Sequence, residues 1–251
     1  MCIRDRKTTD GLYVFSCGIA AKQMADKVNA RIVSNGVKGE VHTYSVTDYA
    51  ESVINAASGV YSDKAVNAVK AMLNYGTAAQ QYFGYNTDNP ANSIMTDDDK
   101  NMDMVGFNTY TGKLVNADSV SGISYYGSSL VLESDTILRN YFELSDGYSI
   151  DNYTFYVKDK DGNKNIIVPQ KTDASLYYID ISNVKAYELA DNVNIYVQKN
   201  GDSEDKIMML EYGAYVYARY VDKYLDNTAL KNLMTAMYHY CNAATEYANI
   251  Y

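Results

Sequence analysis

The chain has 251 residues, of which 47% are apolar and 21% charged, a composition that allows one large or two small folded domains. Its net charge of −9 argues against nucleic-acid binding, which requires basic patches. No apolar stretch approaches the roughly 18 residues that a membrane-spanning helix needs.

The chain begins with MCIRDR, which we interpret as the translated end of a sequencing adapter, and residues 1–6 are therefore left out of the fold prediction. On this interpretation we expect the true N-terminus and any targeting signal to be missing. Cys2 belongs to this stretch. The other two cysteines, Cys17 and Cys241, have no metal-ligand spacing around them and are predicted to be small buried apolar residues.

Residues 7–85 are predicted to be the C-terminal part of a first module, with late strands up to residue 44 followed by two helices. The first helix covers 45–58, and Ser45 and Asp48 have the spacing of a capping box. The second covers 63–83, with Ser62 as its N-cap and an apolar stripe at helical spacing. Residues 86–118, which contain Pro90 and an acidic run, are predicted to be a linker with a short strand near Lys113–Val115.

A second, complete module is predicted for residues 119–251. Its β part, 119–210, contains about seven short strands at the spacing of a β-sandwich. The predicted strands cover residues 128–133, 136–144, 152–158, 165–169, 175–180, 192–199 and 205–210. An Asp-Gly turn within 158–164 predicts a hairpin. A helical hairpin follows in 210–251, with helices 210–225 and 228–248 and Asn227 as the cap of the second.

The chain contains an internal repeat. AMLNYGTAAQQYF, residues 71–83, and AMYHYCNAATEYA, residues 236–248, match at six of thirteen positions with an offset of 165 residues. Upstream, MADKVN and LADNVN match at the same offset, so the repeat relates residues 12–85 to 176–251. We therefore predict an α+β chain: an immunoglobulin- or fibronectin-like antiparallel β-sandwich followed by a two-helix hairpin, present as one partial and one complete copy.

The stretches AMLNYGTAAQQYFGYN, residues 71–86, and GISYYGSSLVLESDTILRNYFEL, residues 122–144, carry a family resemblance. The chain after Lys7 resembles repeat modules of large secreted or surface-attached proteins of anaerobic Gram-positive bacteria, where such modules accompany carbohydrate-active or adhesive domains. The resemblance implies an extracellular or cell-wall location and a supporting role. It transfers no catalytic residue.

Catalytic chemistry has little support in the sequence. His42 and His239 are the two histidines, and no Gly-x-Ser-x-Gly nucleophile motif is present. Two of the carboxylates Glu133, Asp135 and Glu143 could form the acid pair of a glycosidase. We favour the interpretation that they are solvated residues at the ends of strands. The acidic run 97–99 is interpreted as a solvated part of the linker. The DKDGN stretch, 159–163, has its glycine at the wrong position for a calcium loop, so we expect no metal and no cofactor.

The 27 tyrosines are the remaining functional signal. Sugars stack on aromatic faces, and one group of tyrosines clusters in the β part of the second module: Tyr125, Tyr126, Tyr141, Tyr148, Tyr153 and Tyr156. Tyr125, Tyr126, Tyr141 and Tyr148 are the candidate glycan-binding residues, although alternating tyrosines could equally fill the core. We predict a non-catalytic structural, adhesion or docking module with a protein or glycan partner at the cell surface. The alternatives are a carbohydrate-binding accessory module and, less favoured, a glycoside hydrolase fragment.

Overall fold

The computed structural model describes residues 4–7, 11, 13–115, 120–132, 135–202 and 207–249, with backbone only for 4–7. The predictions for Cys2, Leu12, Ser119, Glu133 and residues 205–206 lie outside the described residues. The chain is α+β, with antiparallel sheets and a few helices. It divides into two compact units.

The first unit comprises Met1–Asp103, Leu132–Asp135 and Thr235–Tyr251. Its two-stranded sheets pair β1 (Arg4–Lys7) with β2 (Tyr13–Ser16) and β3 (Val28–Ser34) with β4 (Val37–Tyr44). Its helices are α1 (Val46–Ile54), α2 (Asp63–Phe83) and the short α3 (Asp97–Lys100). The backbone of residues 4–6, which the sequence analysis set aside, is thus part of a strand. The predicted module boundaries differ from this division and remain a prediction.

Local signals in the sequence fix the helix ends of the first unit. Ser45 Oγ accepts a hydrogen bond from the Asp48 amide at 3.0 Å and begins α1, and Ser62 Oγ accepts one from the Ala65 amide at 3.2 Å and begins α2. Both caps were predicted, and α2 has the predicted bounds. Gly84, with φ +59°, ends α2 in the left-handed conformation that glycine adopts without strain. The first helix ends at Ile54, four residues earlier than predicted.

Part of the predicted linker is held against α2 by buried polar side chains. Gln80 is fully buried; its Nε2 donates to the Asn89 carbonyl at 3.0 Å, and its Oε1 accepts from the Ala91 amide at 2.8 Å. One turn earlier, Thr77 Oγ1 accepts from the Asn92 amide at 2.9 Å. Asn74 Nδ2 donates to the carbonyl of Asp99 at 2.8 Å. We call Asn74, Thr77 and Gln80 the polar stripe of α2, and it fixes the path of the following segment.

The second unit comprises Met104–Val131 and Thr136–Met234. One sheet has the order β10 (Gln170–Lys171), β11 (Tyr177–Ile181), β7 (Ile137–Leu144), β6 (Ile123–Val131). The other has the order β5 (Lys113–Val115), β13 (Ile207–Tyr212), β12 (Val193–Lys199), β8 (Tyr153–Lys158), β9 (Lys164–Ile167). The helix α4 (Ala214–Tyr224) follows, and α5 (Thr228–Ala248) begins in this unit and continues into the first.

The two sheets of the second unit meet through aromatic side chains. Phe142 on β7 and Phe155 on β8 are fully buried, and their rings pack edge to face with centroids 5.1 Å apart. Along β8, Tyr153, Phe155 and Tyr156 are buried, so residues on both faces of this strand are covered. The predicted hairpin after β8 is confirmed, because the Asp159 amide donates to the Asn163 carbonyl at 3.1 Å.

The boundary between the last strand and its helix was predicted wrongly. The helix was expected to begin near Leu210, whereas β13 continues to Tyr212 and α4 begins at Ala214. Leu210 pairs with Ile195 of β12 and Tyr212 with Val193, so backbone pairing extends the strand. The predicted start of α5 is confirmed, and Asn227 Oδ1 accepts from the Leu230 amide at 2.9 Å.

Secondary structure recurs at the offset of the sequence repeat. The 3-10 turns Ala21–Gln23 and Ala186–Glu188, the strands β3 and β12, and the helices α2 and α5 each share identical bounds after a shift of 165 residues. The repeat therefore extends from residue identity to backbone conformation.

One repeat position differs for a steric reason. Gly76 in α2 corresponds to the buried Cys241 in α5. A Cβ on Gly76 would lie 2.7 Å from Met24 Sδ and 3.1 Å from Ala91 Cβ. The close approach of these neighbours explains the glycine in the middle of α2.

Candidate functional site

The structure places the four predicted glycan-binding tyrosines in different surroundings. Tyr125 faces the interior of the second unit, where its ring packs against Phe142 with centroids 6.2 Å apart. Its hydroxyl is 2.6 Å from Ser128 Oγ, and burial raises the pKa of the phenol. Tyr148 lies in the loop after β7, with Lys199 Nζ 5.1 Å from its ring centroid. Neither ring is placed on an open sheet face.

Tyr141 lies on a sheet face with residues that the sequence analysis did not select. It is directly opposite Tyr178 in β11, so the two side chains share one face, and their ring centroids are 6.1 Å apart. On the same face Arg139 makes a bidentate ion pair with Asp180 at 2.7 and 2.8 Å. The hydroxyl of Tyr178 donates to Gln170 Oε1 at 2.6 Å. We call these five residues the tyrosine face.

The tyrosine face is polar and ordered, but it is not a flat platform. The guanidinium carbon of Arg139 lies 4.0 Å from the centroid of the Tyr178 ring. The hydrogen bonds that Arg139 donates to the Asp180 carboxylate raise the pKa of the guanidinium. The planes of Tyr141 and Tyr178 are tilted by 52°. Tyr126, the extra residue at a bulge in β6, is 65% exposed. The alternation of side chains along ILRNYFEL, residues 137–144, places Arg139 on the same strand face as Tyr141. The alternation along LYYID, residues 176–180, likewise places Tyr178 with Asp180, so this sequence signal could have identified Arg139 and Tyr178.

A second candidate surface lies in the first unit. It is a groove of about 1220 Å³ between the β-ribbons and the helices, with a lining that is mostly apolar. The side chains that define it include Phe15 from β2, Ile32 from β3, Tyr44 from β4, Met72 from α2 and Tyr247 from α5. We call this surface the apolar groove.

The ribbon β3–β4 that borders the apolar groove is exposed along its whole length. Except for Val28, which is half-buried, every residue of the two strands is exposed to solvent. A two-stranded ribbon is at best marginally stable by itself in water, and this one exposes the large apolar side chains of Ile32, Val33, Val37, Val41 and Tyr44. The prediction that Cys17 is buried is wrong, because this residue lines the groove and is half-exposed. The prediction that Cys241 is buried is confirmed.

The two copies of the repeated helix motif meet in the first unit. Tyr75 in α2 and its counterpart Tyr240 in α5 stack on each other, with centroids 5.8 Å apart and planes 23° apart. Tyr75 is buried, and burial raises the pKa of the Tyr240 phenol. Equivalent positions of one repeated sequence thus form the two sides of one contact.

Among the described residues, the histidines and carboxylates that were considered for catalysis lie in several different places. His42 is exposed at the apolar groove, and His239 Nε2 is 2.8 Å from the Asp103 carbonyl oxygen. Two of the three carboxylates considered for a glycosidase pair are described, Asp135 and Glu143. Asp135 belongs to the first unit and Glu143, on β7, to the second, so neither unit contains both. Within the described ranges, no group of three or more His, Cys, Asp or Glu side chains is placed to hold a metal ion.

The acidic stretches have structural partners. Asp99 accepts a hydrogen bond from Lys70 Nζ at 2.8 Å, which holds the pKa of this carboxyl below its ordinary value. In the β8–β9 hairpin, hydrogen bonds from Asn163 to the Asp159 carboxylate lower the pKa of that group. The carboxylate of Asp159 is therefore used to close the turn, in agreement with the predicted hairpin.

Comparison with family models, with curated proteins and with solved structures finds no match to the chain. None of the helices described is long and apolar enough to cross a membrane. The geometry of the tyrosine face and of the apolar groove is therefore the basis for assigning a function.

Proposed function

We propose that the chain is a non-catalytic docking or adhesion module of a secreted or cell-surface bacterial protein. Each copy in this proposal is an immunoglobulin- or fibronectin-like β-sandwich followed by a two-helix hairpin, partial in residues 7–85 and complete in 119–251. Support comes from the two sheets joined by Phe142 and Phe155, and from the recurrence of elements at the repeat offset. The resemblance of the sequence to surface-protein repeats supports the location.

The apolar groove is the single observation that carries the docking function. Isolated exposed apolar residues are ordinary on protein surfaces, but a continuous apolar concavity of this size is typical of an interaction site. Ile32, 71% exposed, and Tyr44, 60% exposed, lie at its border. Covering them would remove large apolar side chains from water, at roughly 25 cal/mol per Å² of area.

A random peptide library displayed on phage, selected on the immobilised full chain, tests this function. The matched variants are Ile32→Glu, inside the groove, and Val37→Glu, on β4 outside it, because the two side chains are 71% and 73% exposed. We expect enriched peptides that bind wild type and the Val37 variant but lose binding to the Ile32 variant. Selection without any groove-dependent peptide would contradict docking at this surface.

Glycan binding is the second candidate, and the tyrosine face together with Tyr126 favours it. Two tyrosine rings, a guanidinium and a side-chain amide on one sheet face supply both stacking surface and hydrogen-bonding groups. The tilt of 52° between the rings argues against a flat stacking platform, which ranks this function below docking.

A glycan array with the full chain separates the two functions. Glycan binding predicts a signal that falls at least tenfold in both Tyr126→Ala and Tyr141→Ala. Tyr224→Ala is the matched control, since Tyr224 is 61% exposed on α4 and is not one of the tyrosine-face residues. An array without signal, or one in which all three variants bind alike, would exclude the tyrosine face as a sugar site.

A further inference from the structure

A row of directly paired residues crosses the tyrosine face and ends at a glycine. In β6, Gly127 is opposite Tyr141, and Tyr141 is opposite Tyr178. Tyr178 in turn is opposite Gln170 of β10. Since residues that pair directly across strands share a sheet face, the row contains a side-chain amide, two aromatic rings and, at its end, a position without a side chain.

The fold does not require glycine at position 127. The φ angle of Gly127 lies outside the left-handed region, so other residues can adopt the same backbone conformation. A bulge that needs glycine holds it in that left-handed region, so the bulge beside Gly127 does not explain it either. A Cβ built on Gly127 would have no described heavy atom within 4 Å, in contrast to the crowded Gly76.

A glycine inside a strand weakens that strand, because it has no side chain to pack and loses more conformational entropy on folding. Apart from bulges and sharp bends, such a glycine is typical of places that a ligand approaches closely. Gly127 lies within β6 and is half-buried, although nothing described occupies the place of its missing side chain. Its position on the tyrosine face therefore indicates room for a ligand.

Aromatic and polar groups border this room. Tyr126, the bulge residue that precedes Gly127, is 65% exposed. Tyr141 on the neighbouring strand has its hydroxyl 3.3 Å from Ser129 Oγ, and Ser129 follows Gly127 on the same face of β6. We call the space above Gly127, beside Tyr126 and Tyr141, the Gly127 notch.

The charges next to the notch are already compensated. Ser129 is opposite Arg139, and Arg139 holds the carboxylate of Asp180 in the bidentate ion pair at 2.7 and 2.8 Å. An acidic ligand would need a cation that is not already paired in this way. The tyrosine face and the two β6 residues, Gly127 and Ser129, also contribute no aliphatic side chain, whereas the core of a protein interface is apolar and poor in charges.

We propose that the Gly127 notch is a subsite for one neutral sugar unit of a polysaccharide. The sugar ring lies over the backbone of Gly127, with its C–H groups against Tyr141 and its hydroxyls within reach of polar groups such as Ser129. The saccharide continues along the row to Gln170, a distance of three strand spacings, or about 14 Å. This inference rests on the glycan-binding candidate and adds the charge of the ligand and a residue that determines specificity.

Gly127→Val tests the notch because folding and binding are expected to respond in opposite directions. Valine fills the notch and suits a strand better than glycine, so the unfolding midpoint is expected to rise by about 1–4 °C. Glycan binding is expected to weaken at least tenfold. The matched control is Ser124→Val, because Ser124 is exposed on the same strand, opposite Glu143 and outside the row.

Affinity electrophoresis of the full chain, in native gels that contain a polysaccharide, measures the binding. Galactomannan, arabinoxylan and mixed-linkage glucan are the neutral probes, and polygalacturonate is the acidic comparison. We expect at least one neutral polysaccharide to retard wild type and the Ser124 variant equally, and the Gly127 variant at least tenfold less. An oligosaccharide of that polymer is expected to compete at lower concentration than its monosaccharide, because the row is longer than one sugar ring.

Four results would overturn the proposal. They are unchanged binding by Gly127→Val, retardation by polygalacturonate alone, no retardation in any neutral gel, and a lower unfolding midpoint for Gly127→Val. The last result would show that the fold itself requires glycine at this position. Scanning calorimetry of wild type and of both valine variants measures the midpoints.

Failure of this inference is distinguishable from failure of glycan binding. If the array signal depends on Tyr126 and Tyr141 but is unchanged by Gly127→Val, the tyrosine face binds glycans and the subsite is wrong. If neither the array nor the neutral gels give a signal with wild type, glycan binding and the subsite are both wrong. Docking at the apolar groove is tested separately by the displayed library.

Discussion

Replacing Tyr240 by alanine tests the contact between the two copies of the repeated helix. The half-buried ring of Tyr240 stacks on the buried ring of Tyr75 at a centroid distance of 5.8 Å. A tyrosine buries about 150–250 Å² when fully covered, so a half-buried ring covers roughly 100 Å². At about 25 cal/mol per Å² this burial is worth about 2.5 kcal/mol. The aromatic pair adds about 1 kcal/mol, which gives an expected loss of about 3–4 kcal/mol.

Urea unfolding followed by circular dichroism, together with scanning calorimetry, measures this loss. A change of about 3 kcal/mol corresponds to a fall of roughly 6–12 °C in the midpoint for a chain of this size. The matched control is Tyr49→Ala, in α1 of the same unit, because Tyr49 is 61% exposed and is expected to change stability by less than about 0.5 kcal/mol.

A double-mutant cycle then isolates the stack. Tyr75→Ala and Tyr240→Ala are expected to be less damaging together than the sum of the single changes, by about 1 kcal/mol. Additive effects, or a loss below about 1 kcal/mol for Tyr240→Ala alone, would refute the reasoning.

Three further predictions concern α2 and its surroundings. Gly76→Ala is expected to lower stability in urea by about 1–2 kcal/mol, although alanine favours helix by about 1 kcal/mol, because the new Cβ collides with its neighbours; a gain in stability would contradict this. Gln80→Glu removes the donor to two backbone carbonyls and is expected to cost about 2–3 kcal/mol, whereas the exposed neighbour Gln81→Glu should be near neutral. Asp99→Asn is expected to destabilise at neutral pH only: the folded pKa of Asp99 lies below 3.8, so its contribution is present above that pH and disappears as pH falls through the folded value. Equal differences between wild type and Asp99→Asn at pH 7 and at a pH low enough to protonate Asp99 in the folded protein would show that the carboxylate is not responsible.

Predictions based on local chemistry were confirmed closely. Ser45, Ser62 and Asn227 cap helices because a side-chain oxygen satisfies amides within one turn, and that interaction needs no knowledge of the fold. The Asp-Gly hairpin after β8 was predictable for the same reason, since Gly162 supplies the positive φ of the turn.

Contacts between distant parts of the chain were not predictable in the same way. Asn74, Thr77 and Gln80 follow a helical period and would be taken for a solvated face, but they are buried because the following segment folds back onto them. The strand order that brings Tyr178 beside Tyr141 is set by sheet topology. Sequence alternation shows which residues share a strand face, but it does not show which strands are neighbours.

The apolar groove could not be predicted from the sequence, for a related reason. Ile32 and Val197 have the same place in their strands and similar side chains, yet one is exposed and the other buried. Burial depends on what packs against the face of the sheet, and an alternating pattern is identical in both cases. Only the comparison of the two units reveals the difference.

The stack of Tyr75 on Tyr240 has a consequence for how such a chain can arise. Because each ring is the counterpart of the other, a gene encoding one ancestral helix already specified both halves of the contact. Repeating such a sequence within one chain supplies both sides of the contact, so no second complementary surface is required.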